Sequence, residues 1–394
     1  MKKLFTTFAL LTILCLSVNA QWQQTSLDST SVLCFAINGN NIFAGTQSNG
    51  VYLSSNGGSS WDTVNTGLSY NYGVNALVKK GDTIFAGTGF YGMFLSSNNG
   101  SSWVAINNGF TPYPTIYALA VIGNNIFAGT GNGMYMSSNN GNSWTIVNTG
   151  LPTPNRVNAL TINGSNIFAG LVDGGIYLST NNGTSWAAVN TGMPSGVTIY
   201  ALAASGNDIW SGTSSVGVYL SSNNGNSWTA KNTGLAYPYN ASTFAVSGSE
   251  IFAGTGQGVF LSSNNGNNWT AENKSLTDST DIRTLAINGN TIFAGTFGGV
   301  WKTSIVGLGF EEINSENNIK VYPDPATNYI NIDIEDLRST NFDLLMYDVV
   351  GNLFLEKNLE NVKTSIDVSS FPKGVYVIEI KTVKRIFVKN FVKE

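Results

Sequence analysis

The chain contains no histidine, and that absence removes most familiar active sites. Ser-His-Asp and Cys-His catalysis need an imidazole to move the proton, and every His-ligated metal site goes with them. What remains for chemistry is sparse. Asp173 and Asp281 are the best carboxylate pair for glycoside hydrolysis, in which one carboxyl acts as acid and the other as base or nucleophile. Their simpler role is to make turns, Asp173 ahead of Gly174 and Gly175, and Asp281 with Asp278 beside Ser279 and Thr280. Arg156 and Arg283 are the only arginines before residue 304. The larger group of candidates is aromatic: Tyr70, Tyr72, Phe90, Tyr91, Tyr113, Tyr237, Tyr239 and Phe297, set among Asn, Ser, Gly and Pro. Flat rings give contact area at low entropic cost, which suits recognition of a sugar or a protein. No catalytic residue, metal ligand or cofactor site beyond the carboxylate pair is expected.

Composition narrows the class further. Charged residues make up 11% of the 394, under half the roughly 25% of ordinary soluble domains. The net charge is −4, and without clustered Lys and Arg the chain is a poor partner for nucleic acid. Lys2 and Lys3 precede an apolar run, and Val18-Asn19-Ala20 follows as a small-residue cleavage pattern, so residues 1–20 read as a secretory signal peptide. No later stretch reaches the ~18 apolar residues a helical span requires. Cleavage removes Cys15 and leaves Cys34 alone, which excludes an internal disulfide. Cys34 stands where later repeats have Ala76, Ala118, Ala159 and Ala201, so it reads as a small buried hydrophobe.

The elements that would position these residues come from an internal repeat. Ile-Phe-Ala-Gly-Thr or a close variant starts at Ile42, Ile84, Ile126, Ile167, Ile209, Ile251 and Ile292. A second segment, Ser-x-Asn-x-Gly-x-Ser-Trp, ends on Trp103, Trp144, Trp186, Trp228 and Trp269, with a variant ending on Trp61. Each unit reads as four short strands, in the third unit at about 116–121, 125–129, 133–137 and 143–147. No unit has room for a crossover helix. Four antiparallel strands per repeat is the sequence form of a propeller blade.

The fold expected is therefore all-β, a seven-bladed β-propeller over residues 21–303. The seventh unit lacks a Trp segment, whereas Trp22-Gln23-Gln24-Thr25 at the mature N-terminus matches Trp61-Asp62-Thr63-Val64. The N-terminal strand is expected to complete the last blade, which would leave no open sheet edge between the first unit and the last.

The Ser-x-Asn-x-Gly-x-Ser-Trp segments resemble Asp-boxes, or BNR repeats, in an Asn-substituted form. That resemblance implies a turn between the third and fourth strands of each blade, with Asn98 bonding backbone N–H groups, Gly100 at positive φ and Trp103 wedged between blades. Sialidases share such propellers but use an arginine triad, and two arginines are too few. Xyloglucanase-like relatives set paired carboxylates between two propellers, where this chain has one. A ligand is then expected on the face away from the boxes, where blade-to-blade loops and the loops between second and third strands carry the aromatics. The expected function is a binding module for a polysaccharide or surface protein, the alternative a glycan-degrading hydrolase using Asp173 and Asp281.

After a linker at 304–317 the repeat stops. Val321-Tyr322-Pro323-Asp324-Pro325-Ala326, Tyr347-Asp348-Val349-Val350-Gly351 and Phe371-Pro372-Lys373-Gly374-Val375-Tyr376 then follow in order. Residues 318–394 resemble the type A C-terminal sorting domain of type IX secretion cargo. The short alternating strands describe a small C-terminal β-sandwich. The resemblance implies the type IX secretion machinery as partner and a secreted or outer cell-surface location, reached through the periplasm.

Overall fold

A computed structural model of the chain describes residues 21–394 apart from 69–72, 111, 113, 154–155, 237–239, 277–280, 306–310, 313–318, 335–341, 349–351, 360 and 382–384. The signal segment, most of the linker, and Tyr70, Tyr72, Tyr113, Tyr237, Tyr239 and Asp278 lie outside the described residues. The chain divides into two compact units, one ending at Leu308 and the other Gly309–Glu394.

The described residues of the first unit form seven four-stranded sheets and no helix. The first sheet, Val32–Asn38, Asn41–Thr46, Val51–Ser54 and Asp62–Thr63, is typical. Its strands pair in chain order and all are antiparallel. The second strand is buried on both faces, which is why Ile-Phe-Ala-Gly-Thr is continuously apolar where the first strand alternates. The fourth strand has two residues, as it has in every sheet. In the third unit it is Thr145–Ile146 rather than 143–147, because Ser143 belongs to the turn and Trp144 turns back to the preceding sheet. Gln23 and Gln24 pair with Lys302 and Trp301, adding the fourth strand to the sheet Ile282–Asn288, Thr291–Thr296 and Gly299–Ser304.

Neighbouring sheets pack through repeated contacts. A buried indole in each of the five full boxes donates Nε1–H to a carbonyl of the sheet before it, as Trp103 to Val64 at 2.7 Å and Trp144 to Ile106 at 2.8 Å, whereas Trp61 of the variant box donates to the Thr25 hydroxyl at 3.1 Å. Trp22 donates to the Glu272 carbonyl at 2.6 Å. The first strands touch in series, each with the next, and Ile282–Asn288 touches Val32–Asn38.

Each box turn is fastened as its residue types require. Ser96 Oγ accepts the Gly100 N–H at 2.8 Å, and Asn98 Oδ1 accepts that of Ser102 at 3.0 Å. Asn99 and Gly100 both take positive φ, 53° and 82°.

The second unit holds a five-stranded and a three-stranded sheet. Ile330, Ile332 and Ile366 from the smaller sheet share one core with Leu344, Met346, Ile378 and Phe391 from the larger.

Candidate functional site on the loop-end face

The first strand of each of the seven four-stranded sheets carries a bulge at the same place. Pairing with the second strand slips between the first and third residues of each first strand, as between Ile116 and Ala118. The residue left over is Leu33, Asn75, Tyr117, Asn158, Tyr200, Ser242 or Arg283. Its neighbours hardly vary, being Val, Ile or Ala before it and Cys, Ala or Thr after it. None of the seven is buried. They lie at the end of the sheets where the first strand begins and the second ends, opposite the box turns. A bulge re-aims one side chain without disturbing the ladder beyond it.

Several of these residues are engaged with the surrounding loops. The Arg156 guanidinium lies 4.0 Å from the centre of the Tyr117 ring, and its Nε donates to Asn158 Oδ1 at 3.0 Å. Arg283 lies 4.5 Å from the centre of the Phe297 ring and pairs with Asp281 at 3.4 Å. Asn75 Nδ2 donates to Ile116 O at 3.0 Å, and the Ser242 hydroxyl donates to Ile282 O. Tyr200 remains 45% exposed.

A second recurring device holds the loops. Asn65, Asn107, Asn148, Asn190, Asn232 and Asn273 follow the fourth strands, and each accepts a backbone N–H at the start of the adjacent third strand at 2.7–2.8 Å. The same amide in five of them donates to a carbonyl of the loop between second and third strands, as Asn107 does to Tyr91 O at 3.0 Å. The glycine beneath it is required, since a Cβ at Gly92 would stand 2.2 Å from Asn107 Oδ1.

The structure places the described sequence candidates as follows. Phe90 and Tyr91 occupy the loop of the second sheet, 79% and 44% exposed, and Phe297 that of the seventh, 50% exposed. The first sheet stands between the two. Asp173 has φ 51° and accepts the Thr198 hydroxyl at 2.6 Å, while its N–H donates back to Thr198 Oγ1 at 3.0 Å. Asp281 is taken up with Arg283. Among the described residues the side-chain partner of Asp173 is Thr198 and that of Asp281 is Arg283, with no hydrogen bond between the two carboxylates. The aromatic candidates named from the sequence do not include Tyr117 or Tyr200, which stand at the bulges. The signal of the bulge position was one variable residue inside a constant frame at the start of each first strand. The asparagine staple also went unread, although its Asn recurs with the period of the repeat. Cys34 is buried, donates to Val74 O at 3.4 Å, and burial pushes its thiol far up.

Residues 320–394 match the family model of the secretion system C-terminal sorting domain, and residues 119–250 that of the DUF6242 beta propeller domain. No curated protein matches the chain. Among solved structures it is similar to PorZ, an essential bacterial surface component of the type-IX secretion system of Porphyromonas gingivalis. Identity is 17% and the TM-score 0.57, over 93% of this chain and 59% of that one. It is similar to YCF48 bound to D1 peptide at 15% identity and TM-score 0.59, over 72% of this chain and 96% of that one. It is also similar to the GH74 xyloglucanase from Xanthomonas campestris at 12% identity and TM-score 0.59, over 94% of this chain and 75% of that one. At these identities the likeness is one of fold. The chain carries a β-propeller domain and a type IX secretion C-terminal sorting domain. That tail implies interaction with the type IX machinery and export to the cell surface or medium.

Proposed function

We propose that this protein is an exported recognition module whose propeller binds a glycan or protein ligand on its loop-end face. In this reading residues 1–20 are a signal peptide that takes the chain through the periplasm, and residues 21–303 are a seven-bladed propeller. The boxes are Asn-substituted Asp-boxes, and the N-terminal strand completes the last blade. Residues 304–317 link it to a β-sandwich at 318–394 that serves as the address for secretion. One observation supports the binding role above the rest: the seven bulged residues differ in chemistry while the frame around them repeats. A scaffold held constant under a varied surface is the arrangement recognition needs. The contact residues proposed are Tyr117, Tyr200 and Arg283 from the bulges, with Phe90, Tyr91 and Phe297 and the loop tyrosines Tyr70, Tyr72, Tyr113, Tyr237 and Tyr239.

A hydrolase built on Asp173 and Asp281 has less behind it, because each carboxylate already has a structural partner. The test is the mature full-length chain on a panel of soluble and insoluble polysaccharides, scored for retention and released sugar together. Retention without release supports the module. Release that disappears in Asp173→Asn or Asp281→Asn overturns it.

A further inference from the structure

Two opposite charges on the loop-end face are each held by neighbours and not by one another. Arg156 is stacked on Tyr117, and among the described residues its one hydrogen bond is the Nε donation to Asn158. The terminal nitrogens therefore carry no partner there, and no carboxylate pairs with them. This sets Arg156 apart from Arg283, which is neutralised by Asp281. Asp173 is fixed by the reciprocal pair of bonds with Thr198, and no cation pairs with it among the described residues.

Both side chains line one cleft of about 480 Å³, together with Pro152, Val172 and Tyr177. That volume falls among small-molecule sites. A guanidinium lying over an aromatic ring and bonded through Nε alone keeps its two terminal nitrogens as N–H donors, the match for a carboxylate. A carboxylate held by one oxygen keeps the other for hydroxyl donors. Tyr177 and Pro152 supply the apolar wall on which the C–H face of a pyranose can lie.

We propose that this cleft binds a hexuronic acid residue of an acidic polysaccharide, with the sugar carboxylate on Arg156 and ring hydroxyls on Asp173. The proposal rests on the reading of the propeller as a binding module and names the ligand for one part of its face. Neutral sugars leave Arg156 unanswered. A peptide carboxylate would satisfy Arg156 but leaves Asp173 without hydroxyl donors.

The probes are trisaccharides of galacturonate, mannuronate and guluronate, titrated calorimetrically into the mature full-length protein. Their methyl esters, a neutral glucan trisaccharide and a peptide with a free C-terminus are run beside them. At least one acid trisaccharide is expected to bind, with its ester about tenfold weaker or worse. Arg156→Gln should lose about tenfold and Asp173→Asn a smaller factor, both with unchanged melting temperature. Arg156→Lys should fall between wild type and Gln, because a lysine neither stacks nor forks. Equal binding of acid and ester, or of wild type and Arg156→Gln, overturns the proposal. Retention of neutral glycan or peptide without the acids overturns it too and leaves the binding module standing. If no ligand on either panel is held, both fall.

Discussion

Gly295 of the seventh sheet receives Val32 of the first: a Cβ on Gly295 would stand 2.8 Å from Val32 Cγ1. The same fit joins Gly45 to Val74, Gly87 to Ile116, Gly129 to Val157, Gly170 to Ile199, Gly212 to Ala241 and Gly254 to Ile282. Each glycine is the fourth residue of the Ile-Phe-Ala-Gly-Thr segment, and each knob is the first residue of the next first strand. The glycine is there for close approach between sheets, and none of these seven has positive φ. Because Val32 precedes the first copy of the segment, the series returns to its start.

Gly295→Ala should therefore overpack this position, where the added Cβ would stand 2.6 Å from Thr284 Cγ2 of its own sheet and 2.8 Å from Val32 Cγ1 of the first. Overpacking a filled core costs about 1–3 kcal/mol, read as a lower melting temperature. Gly374→Ala, with open space around it and no positive φ, should change it little. Equal effects of the two would remove the knob-and-hole account.

Asn148→Ala tests the loop staple. It strands the buried Met134 N–H, now 2.7 Å from Asn148 Oδ1, and leaves the exposed Asn132 O, now 3.2 Å from Nδ2, to water. Leaving one buried donor unpaired costs about 1–3 kcal/mol. Hydrogen exchange at the Met134 amide should quicken, along with a fall in melting temperature.

Ser211 stands where the other sheets have Ala44, Ala86, Ala128, Ala169, Ala253 and Ala294. Among the described residues its buried hydroxyl has no hydrogen-bond partner, and neither has Trp210 Nε1 beside it. Ser211→Ala should stabilise the propeller by about 1 kcal/mol, seen as a raised denaturation midpoint at constant slope.

Two groups give pH-dependent expectations. Burial raises the Glu250 carboxyl above 4.5, so the native state binds that proton more tightly than the unfolded chain does. Its contribution is full below 4.5 and lost as pH rises through the raised native value. Glu250→Gln should flatten the stability profile across that window. Cys34, whose thiol is pushed far up by burial, should resist iodoacetamide at neutral pH and react once the chain is unfolded.

Much of the fold was legible because its signals are local. The segment Ile-Phe-Ala-Gly-Thr marks a strand buried on both sides, and Ser96, Asn98 and Gly100 close their turn within five residues. The site was less legible. Whether Tyr117 is a bulged residue depends on its pairing with Ile126-Phe127-Ala128-Gly129-Thr130, and that Arg156 stacks on it depends on two different sheets. Sequence adjacency carries neither relation. The loop aromatics were easy to notice by type, but Phe90 and Phe297 belong to sheets that do not touch through them.

The central claim is that the bulged residues form the recognition surface. The most direct measurement compares the mature protein with a triple variant, Tyr117→Ser, Tyr200→Ser and Arg283→Ser, each taking the residue that Ser242 already supplies at this position. Affinity for whichever ligand the wild type retains, and melting temperature, are read on the same samples. The account predicts a loss of affinity of at least about tenfold with the melting temperature held within a few degrees. Unchanged affinity in a folded triple variant would contradict it.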